Sequence, residues 1–285
     1  MAAPEPIVLT APAKLNLCLF VGPTRSDGLH QIASIFEPLE LADRLTVSEA
    51  DGGADEVVCA EIGGPNLVEK ALAGMREQGW DSPPLRVVIE KRIPVAAGLG
   101  GGSADAAAVL RLARGGLEGL RAVAASVGAD VPSQLQPRPC VVSGTGEVVE
   151  PIPPPGGHAV VLIPQTMGLT TADVYARADE LGATRGESEL ESIRRKLRDA
   201  VVDGASPLSY PENLVNDLQQ AAASLRPEVC LAIDALEGAG GASAMVTGSG
   251  PTAFALFVDR AAADRAAEEL SGDFPGAVAT MPLAP

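Results

Sequence analysis

Histidine and cysteine are scarce in this chain: it holds two histidines and four cysteines in 285 residues. Two histidines leave little scope for a serine nucleophile with an imidazole base. Cys18, Cys59, Cys140 and Cys230 stand far apart with no CxxC pair, which reads as reduced, structural thiols of a cytosolic protein rather than a disulfide or metal framework. No apolar run approaches the roughly 18 residues of a membrane span. The start, MAAPEPIVLT, lacks a basic segment followed by an apolar one, so no secretory signal is expected. Basic residues are also few, 21 against 37 acidic, for a net charge of −16. That balance opposes binding to nucleic acid or an anionic membrane surface, yet leaves room for a local anion site built from backbone dipoles.

What is present is apolar and glycine-marked. An apolar fraction of 46% excludes wholesale disorder, and the length suits two modest domains or one large one. The most informative stretch is IPVAAGLGGGSADAAAVLRLA, from Ile93 to Ala113. It reads as a strand end, a glycine-dense turn and an alanine-rich helix starting near Ala104. Gly98, Gly100, Gly101 and Gly102 let the backbone approach an anion closely, because glycine accepts positive φ and carries no Cβ. Ser103 suits the helix cap, and the positive end of the helix favours a polyphosphate. Familiar motifs do not fit. GxGxxG would need glycine where Ser103 stands, which disfavours a dinucleotide-dependent oxidoreductase, and the Walker pattern needs a lysine that is missing. GxSxG fails at Asp105. A tight turn without any ligand is the plain alternative.

Ile7 to Val21 alternate with period two, so Ile7, Leu9, Ala11, Ala13, Leu15, Leu17, Leu19 and Val21 share the core face. Lys14 and Asn16 fall on the other face with Thr10 and Cys18. Taken alone, that face reads as an edge or solvent-facing strand. After the Asp27-Gly28 turn come an extended stretch to Leu41 and another from Arg44 to Ser48. Asn66 to Gln78 has helical spacing, Leu85 to Ile89 is a short strand, and Gly115-Gly116 interrupt the helix after the loop. Leu117 to Val127 forms a further helix ending at Gly128. The run PIPPPGG, Pro151 to Gly157, is the expected boundary between an N-terminal domain, 1–150, and a C-terminal domain, 157–285. The latter opens with a strand at His158 to Ile163, continues through a charged helix at Glu187 to Asp203 and returns to a strand at Ala253 to Val258. After Gly272 the chain looks irregular.

Lys14 beside Asn16, the glycine loop, and Asp130 shortly after it call for a common explanation. Phosphoryl transfer needs a held polyphosphate, a cation near the transferred group and a carboxylate near the acceptor hydroxyl. Asp130 as an N-cap or turn former before Pro132 is the plainer reading.

PVAAGLGGGSADAAA resembles the ATP-binding motif PxxxGLGSSAA of the galactokinase, homoserine kinase, mevalonate kinase and phosphomevalonate kinase superfamily. APAKLNLCLFV, RSDGLHQIASIFEPLELAD, GADVP, SGTGEVVEPIP, ENLVNDL and VTGSGPTAFALF resemble the branch that phosphorylates a cytidine diphosphate-linked methylerythritol on the non-mevalonate route to isoprenoids. The resemblance runs from residue 11 to about residue 257. It implies a two-domain α+β fold with mixed or antiparallel sheets, helices packed on them and an active cleft between the domains. It implies ATP as donor and Mg2+ as its companion, with the metal ligands left open. Carried over, Lys14 and Asp130 match the catalytic positions. Pro94, Val95, Ala96, Ala97, Gly98, Leu99, Gly100, Gly101, Gly102, Ser103 and Ala104 would surround the triphosphate, and Asn16 and His30 would face the cytidine-bearing substrate. The turn Gly248-Ser249-Gly250 would lie beside the loop.

Three departures fall near these positions. Leu29 stands where the branch has tyrosine, so Tyr175 is the aromatic left to wall the base. The span from the loop to GADVP is short, and SQLQPRP after Pro132 is polar. The alternatives are another kinase of the superfamily, acting on homoserine or a mevalonate-type acid, and a nucleotide-binding regulator without turnover.

Overall fold

The computed structural model describes residues 5–61, 63–113, 119–165 and 169–284. In chain order the elements are β1 (Ile7–Thr24), β2 (His30–Glu49), β3 (Glu56–Cys59), α1 (Leu67–Glu77), β4 (Leu85–Glu90), α2 (Gly101–Leu110), α3 (Leu120–Val127) and α4 (Val131–Gln134). They continue with β5 (Cys140–Gly144), β6 (Val148–Pro151), β7 (Ala159–Ile163), α5 (Thr171–Leu181), α6 (Glu187–Val201), α7 (Gln219–Leu225), α8 (Glu228–Gly238), β8 (Ala242–Val246), β9 (Ala253–Phe257), α9 (Arg260–Leu270) and β10 (Val278–Thr280). Packing divides the chain into two interleaved units. Unit 1 comprises Met1–Ala13, Leu41–Val95 and Gly100–Pro137; unit 2 comprises Lys14–Glu40, Ala96–Leu99 and Arg138–Pro285.

In unit 1 the end of β2 pairs antiparallel with β4, which pairs parallel with β3. Helix α1 packs on α2 and α3, and α2 on α4. Asn66 starts α1 with a reciprocal cap, its side chain accepting from Val68 while Glu69 reaches back to the Asn66 N–H, so two otherwise unpaired donors are satisfied. Leu45, Val47, Val87, Leu72, Met75, Val109 and Leu110 meet in one core. Every residue of α2 from Ala104 to Leu110 is buried, as befits a helix apolar on nearly every side, and Asp105, its one charged residue, is paired with Lys91. Its run of alanines keeps the helix slim enough to sit inside the unit.

In unit 2 the start of β2 pairs antiparallel with β5, and β5 with β6. Leu19, Val21, Ile32, Phe36 and Val142 form a core there with Val174 and Ala178 of α5 and Ala221 and Ala222 of α7. A second, antiparallel sheet runs β10-β7-β9-β8 and packs on α8 and α9. The run Ala159–Ile163 is buried on both faces, which explains its unbroken apolar sequence.

Four expectations need correcting. The face of β1 carrying Lys14 and Asn16 is not solvent-facing: both residues are buried, because β1 is covered on both sides from Ala11 to Gly22. The stretches ending at Leu41 and starting at Arg44 are one strand, β2, which runs unbroken through Asp43, a buried residue whose carboxylate is hydrogen-bonded. Helix α2 begins at Gly101, not near Ala104. Its cap is Gly100 in the left-handed conformation at φ +68°, so Ser103 lies in the first turn and does not cap. The tail after Gly272 forms β10, ordered by pairing with β7. Gly115-Gly116 and the start of the helix expected from Leu117 lie outside the described residues; α3 is described from Leu120, and it ends at Gly128 as expected.

Candidate active site

In unit 2, β1 presents Lys14 and Asn16 on one face, two residues apart. The Lys14 ammonium, 5% exposed as a residue, donates to Asn16 Oδ1 at 2.6 Å and to the Gly98 carbonyl at 3.0 Å. It lies 5.0 Å from the Phe36 ring centroid, close enough for a cation–π attraction. Burying an ammonium is costly unless such partners hold it. Asn16 donates through Nδ2 to Ser34 Oγ at 3.0 Å, and its backbone N–H donates to Thr247 Oγ1 at 2.9 Å. The Lys14 backbone N–H donates to the Leu99 carbonyl at 3.0 Å, so β1 holds the loop directly.

The turn after β8 closes this group. A Cβ on Gly98, at φ +75°, would stand 2.6 Å from the Thr247 carbonyl oxygen and 2.9 Å from that of Gly250. Only glycine permits that approach. A Cβ on Gly248, at φ +59°, would come within 3.4 Å of Lys14 Nζ. Asn216 pins the turn, donating from Nδ2 to the Val246 and Gly248 carbonyls at 2.8 and 2.9 Å. The Gly248-Ser249-Gly250 turn therefore does lie beside the loop, at Gly98.

Further along the loop, Ala96 has φ +56°, an uncommon conformation for a residue with a side chain. Helix α2 then starts with Gly101, Gly102 and Ser103, whose N–H groups precede the first helical bond, from Ala104 to Gly100. Such N–H groups and the helix dipole make a seat for negative oxygens. Beneath this turn, in unit 1, Lys91 bridges Asp43 and Asp105, donating to Asp105 Oδ2 at 2.8 Å. Asp43 also accepts from the Arg92 and Ile93 N–H groups where the loop leaves β4. Burial pushes the Asp105 carboxyl above the usual carboxylate range even with Lys91 beside it.

Asp130 precedes α4 in unit 1 at φ −84°, ψ −15°, and its side chain makes no cap to that helix. Its carboxylate is thus no N-cap, although the residue does stand in the turn that leads into α4. His30 opens β2 in unit 2, with Nδ1 3.1 Å from the Gly22 carbonyl and Nε2 3.2 Å from the Asp179 carboxylate. Its ring centroid is 5.1 Å from that of Tyr175 on α5. These two expected substrate residues, 145 apart in sequence, therefore meet, while Leu29 is exposed.

Ser34, Thr247, Asn216, Lys91, Asp43 and Asp105 were not singled out from sequence, although most lie inside the recognised stretches. Among the described residues no cluster of three or more His, Cys, Asp or Glu side chains is arranged to hold a metal ion. No described helix is long and apolar enough to cross a membrane.

Comparison with known proteins agrees with this geometry. Residues 66–134 match the N-terminal domain of GHMP kinases and residues 208–276 the C-terminal domain. A homoserine kinase from Cytophaga hutchinsonii shares the fold at a TM-score of 0.75, with 16% identity over 99% of this chain and 96% of that one. The fold and the glycine loop thus define an ATP-dependent phosphotransferase of the GHMP kinase class. A protein of Anaeromyxobacter dehalogenans, 4-diphosphocytidyl-2-C-methyl-D-erythritol kinase, is 37% identical over 96% of this chain and 88% of its own length. A crystal structure of 4-(cytidine 5'-diphospho)-2C-methyl-D-erythritol kinase superposes at a TM-score of 0.77, with 33% identity over 98% of this chain and 100% of that one. This chain belongs to the 4-diphosphocytidyl-2-C-methyl-D-erythritol kinase family.

Proposed function

We propose that the chain transfers the γ-phosphoryl group of ATP to the 2-hydroxyl of 4-diphosphocytidyl-2-C-methyl-D-erythritol, giving the 2-phosphate and ADP. The observation that carries this reading is the buried Lys14 ammonium, held by Asn16 Oδ1 and by the Gly98 carbonyl of the glycine loop. A fixed cation docked on a phosphate-type loop suits charge developing on a transferred phosphoryl group. In this mechanism the hydroxyl oxygen bonds to the γ-phosphorus as the β–γ bridging bond breaks. Asp130 accepts the hydroxyl proton, and the electron pair of the broken bond leaves on ADP. Lys14 offsets the negative charge on the equatorial oxygens. Residues Pro94 to Ala104 line the triphosphate, with the first N–H groups of α2 turned to its oxygens.

His30 and Tyr175 are assigned to the cytosine, Tyr175 as a stacking wall and His30 as a hydrogen-bond partner to the base edge. Asn16 orients Lys14 and stands next to the acceptor. Bound with the nucleotide, Mg2+ would offset charge on the triphosphate, and Ser103 Oγ is the side-chain oxygen of the loop that would hold it or a phosphate. A domain boundary at 151–157 is supported by family matches lying wholly on either side of it. A cytoplasmic location accords with four free cysteines and a nucleotide-linked substrate.

Steady-state ADP release with the cytidine substrate tests the assignment. Asp130→Asn should lower kcat by about 10²–10⁴-fold and Lys14→Met by about 10²–10³-fold, with both proteins still folded. Unchanged kcat in either variant would remove that residue from the mechanism.

A further inference from the structure

Asn16 can face Lys14 with either end of its amide, and only one end accepts a hydrogen bond. An oxygen toward the ammonium holds it; an NH2 toward the ammonium repels it. What decides the orientation is Ser34, fully buried on β2 beside β1. Its hydroxyl has one proton, which is donated to the Cys18 carbonyl. Toward Asn16, Ser34 Oγ therefore offers lone pairs alone and can accept but not donate. The 3.0 Å contact then requires Nδ2 on the Ser34 side, which turns Oδ1 to Lys14 at 2.6 Å. Thr247 agrees from the third side. Its Oγ1 accepts the Asn16 backbone N–H at 2.9 Å, and its own proton points to Asn16 Oδ1 at 3.4 Å.

We propose that Ser34 is a positioning residue for phosphoryl transfer, acting on Lys14 through the orientation of the Asn16 amide. This deepens the proposed function and rests on the role given there to Lys14. Removing the hydroxyl leaves a buried amide N–H without its acceptor, and the amide gains a reason to turn away from the productive orientation. Cavity formation is slight, since a single oxygen is lost. The consequence falls on the ammonium, and so on turnover more than on nucleotide affinity.

The test is a double-mutant cycle on the full chain, with kcat and KM measured for Ser34→Ala, Lys14→Met and the combination, each checked by thermal melting. Ser34→Ala should lower kcat about tenfold, in line with a broken buried hydrogen bond, while KM for ATP changes less than about threefold. In the Lys14→Met background the same change should slow the residual rate no further, because its target is gone. Wild-type kcat in Ser34→Ala, or an undiminished tenfold loss on top of Lys14→Met, would overturn the proposal. Wild-type turnover in Lys14→Met would instead sink the proposed function, whatever Ser34 does. If Ser34→Ala does not fold, Ser34→Cys keeps the volume with a poorer acceptor and is judged by the same criteria.

Discussion

Gly98→Ala is the substitution whose outcome the structure specifies most closely. Two separate costs meet there. The first is conformational: φ is +75°, and an L-residue in the left-handed region loses about 1–2 kcal/mol. The second is steric: the new Cβ would lie 2.6 and 2.9 Å from the carbonyl oxygens of Thr247 and Gly250. These are backbone atoms, and Asn216 fixes the turn that carries them, so no side chain can rotate aside. Relief requires the loop and the turn to part, an overpacking cost of about 1–3 kcal/mol. Gly182, the cap after α5, separates the two costs. It has φ +64° and open space where its Cβ would go. Gly182→Ala should therefore destabilise by about 1–2 kcal/mol and Gly98→Ala by about 2–5 kcal/mol in urea unfolding. Gly98→Ala should also lower kcat, since the Gly98 carbonyl accepts from the Lys14 ammonium, whereas Gly182→Ala should leave kcat alone. Equal destabilisation by the two would refute the claim that the loop rests against the turn at Gly98.

Other expectations follow from single groups. Burial alone would lower the His158 pKa, but the Glu37 carboxylate and the Gly156 carbonyl at its two ring nitrogens outweigh it and raise the value above 6.5. The stabilisation is complete below the unfolded value and lost as pH rises through the folded one. Urea midpoints should thus fall from pH 6 toward pH 9, and a His158→Gln variant should lack that decline; a parallel decline in the variant would contradict it. Burial pushes the Cys18 thiol up to about 12, and Cys140 is buried too, while Cys230 is exposed. Iodoacetamide at pH 8 should modify native Cys230 readily and reach Cys18 and Cys140 after unfolding, as peptide mass mapping would report; labelling of native Cys18 at the Cys230 rate would contradict it. Tyr175→Ala should raise KM for the cytidine substrate about tenfold through lost stacking and leave KM for ATP within about twofold; a matching rise for ATP would move Tyr175 out of the base site.

Local pattern carried much of this fold. The helix at Leu67–Glu77 was legible because the spacing of Leu67, Ala71, Leu72 and Met75 states one apolar face in a single segment. Period-two alternation in Ile7–Val21 identified the strand, and it placed Lys14 with Asn16. It could not reveal that their face is buried, because the cover over that face comes from Ser34 and Thr247, residues 18 and 231 positions from Asn16. For the same reason β2 read as two stretches with a gap that includes Asp43. Its partners Lys91 and Ile93 are 48 and 50 residues away. The glycine loop was evident from composition, yet its contact with the VTGSG turn was expected through family resemblance alone, since no spacing rule links Gly98 to Thr247. A three-residue strand such as β10 has too little pattern to announce itself and exists through its register with Val160, Val161 and Leu162.

The central claim is phosphoryl transfer to the 2-hydroxyl of a cytidine-linked methylerythritol, and the most direct measurement is 31P NMR of a reaction mixture. Purified protein is incubated with ATP, Mg2+ and 4-diphosphocytidyl-2-C-methyl-D-erythritol, beside parallel mixtures containing homoserine or mevalonate. The account predicts ADP and a new phosphomonoester at C-2 in equal amounts with the cytidine substrate, and neither with the other two acceptors. ATP binding without turnover on any acceptor, or a phosphomonoester formed only on homoserine or mevalonate, would contradict it.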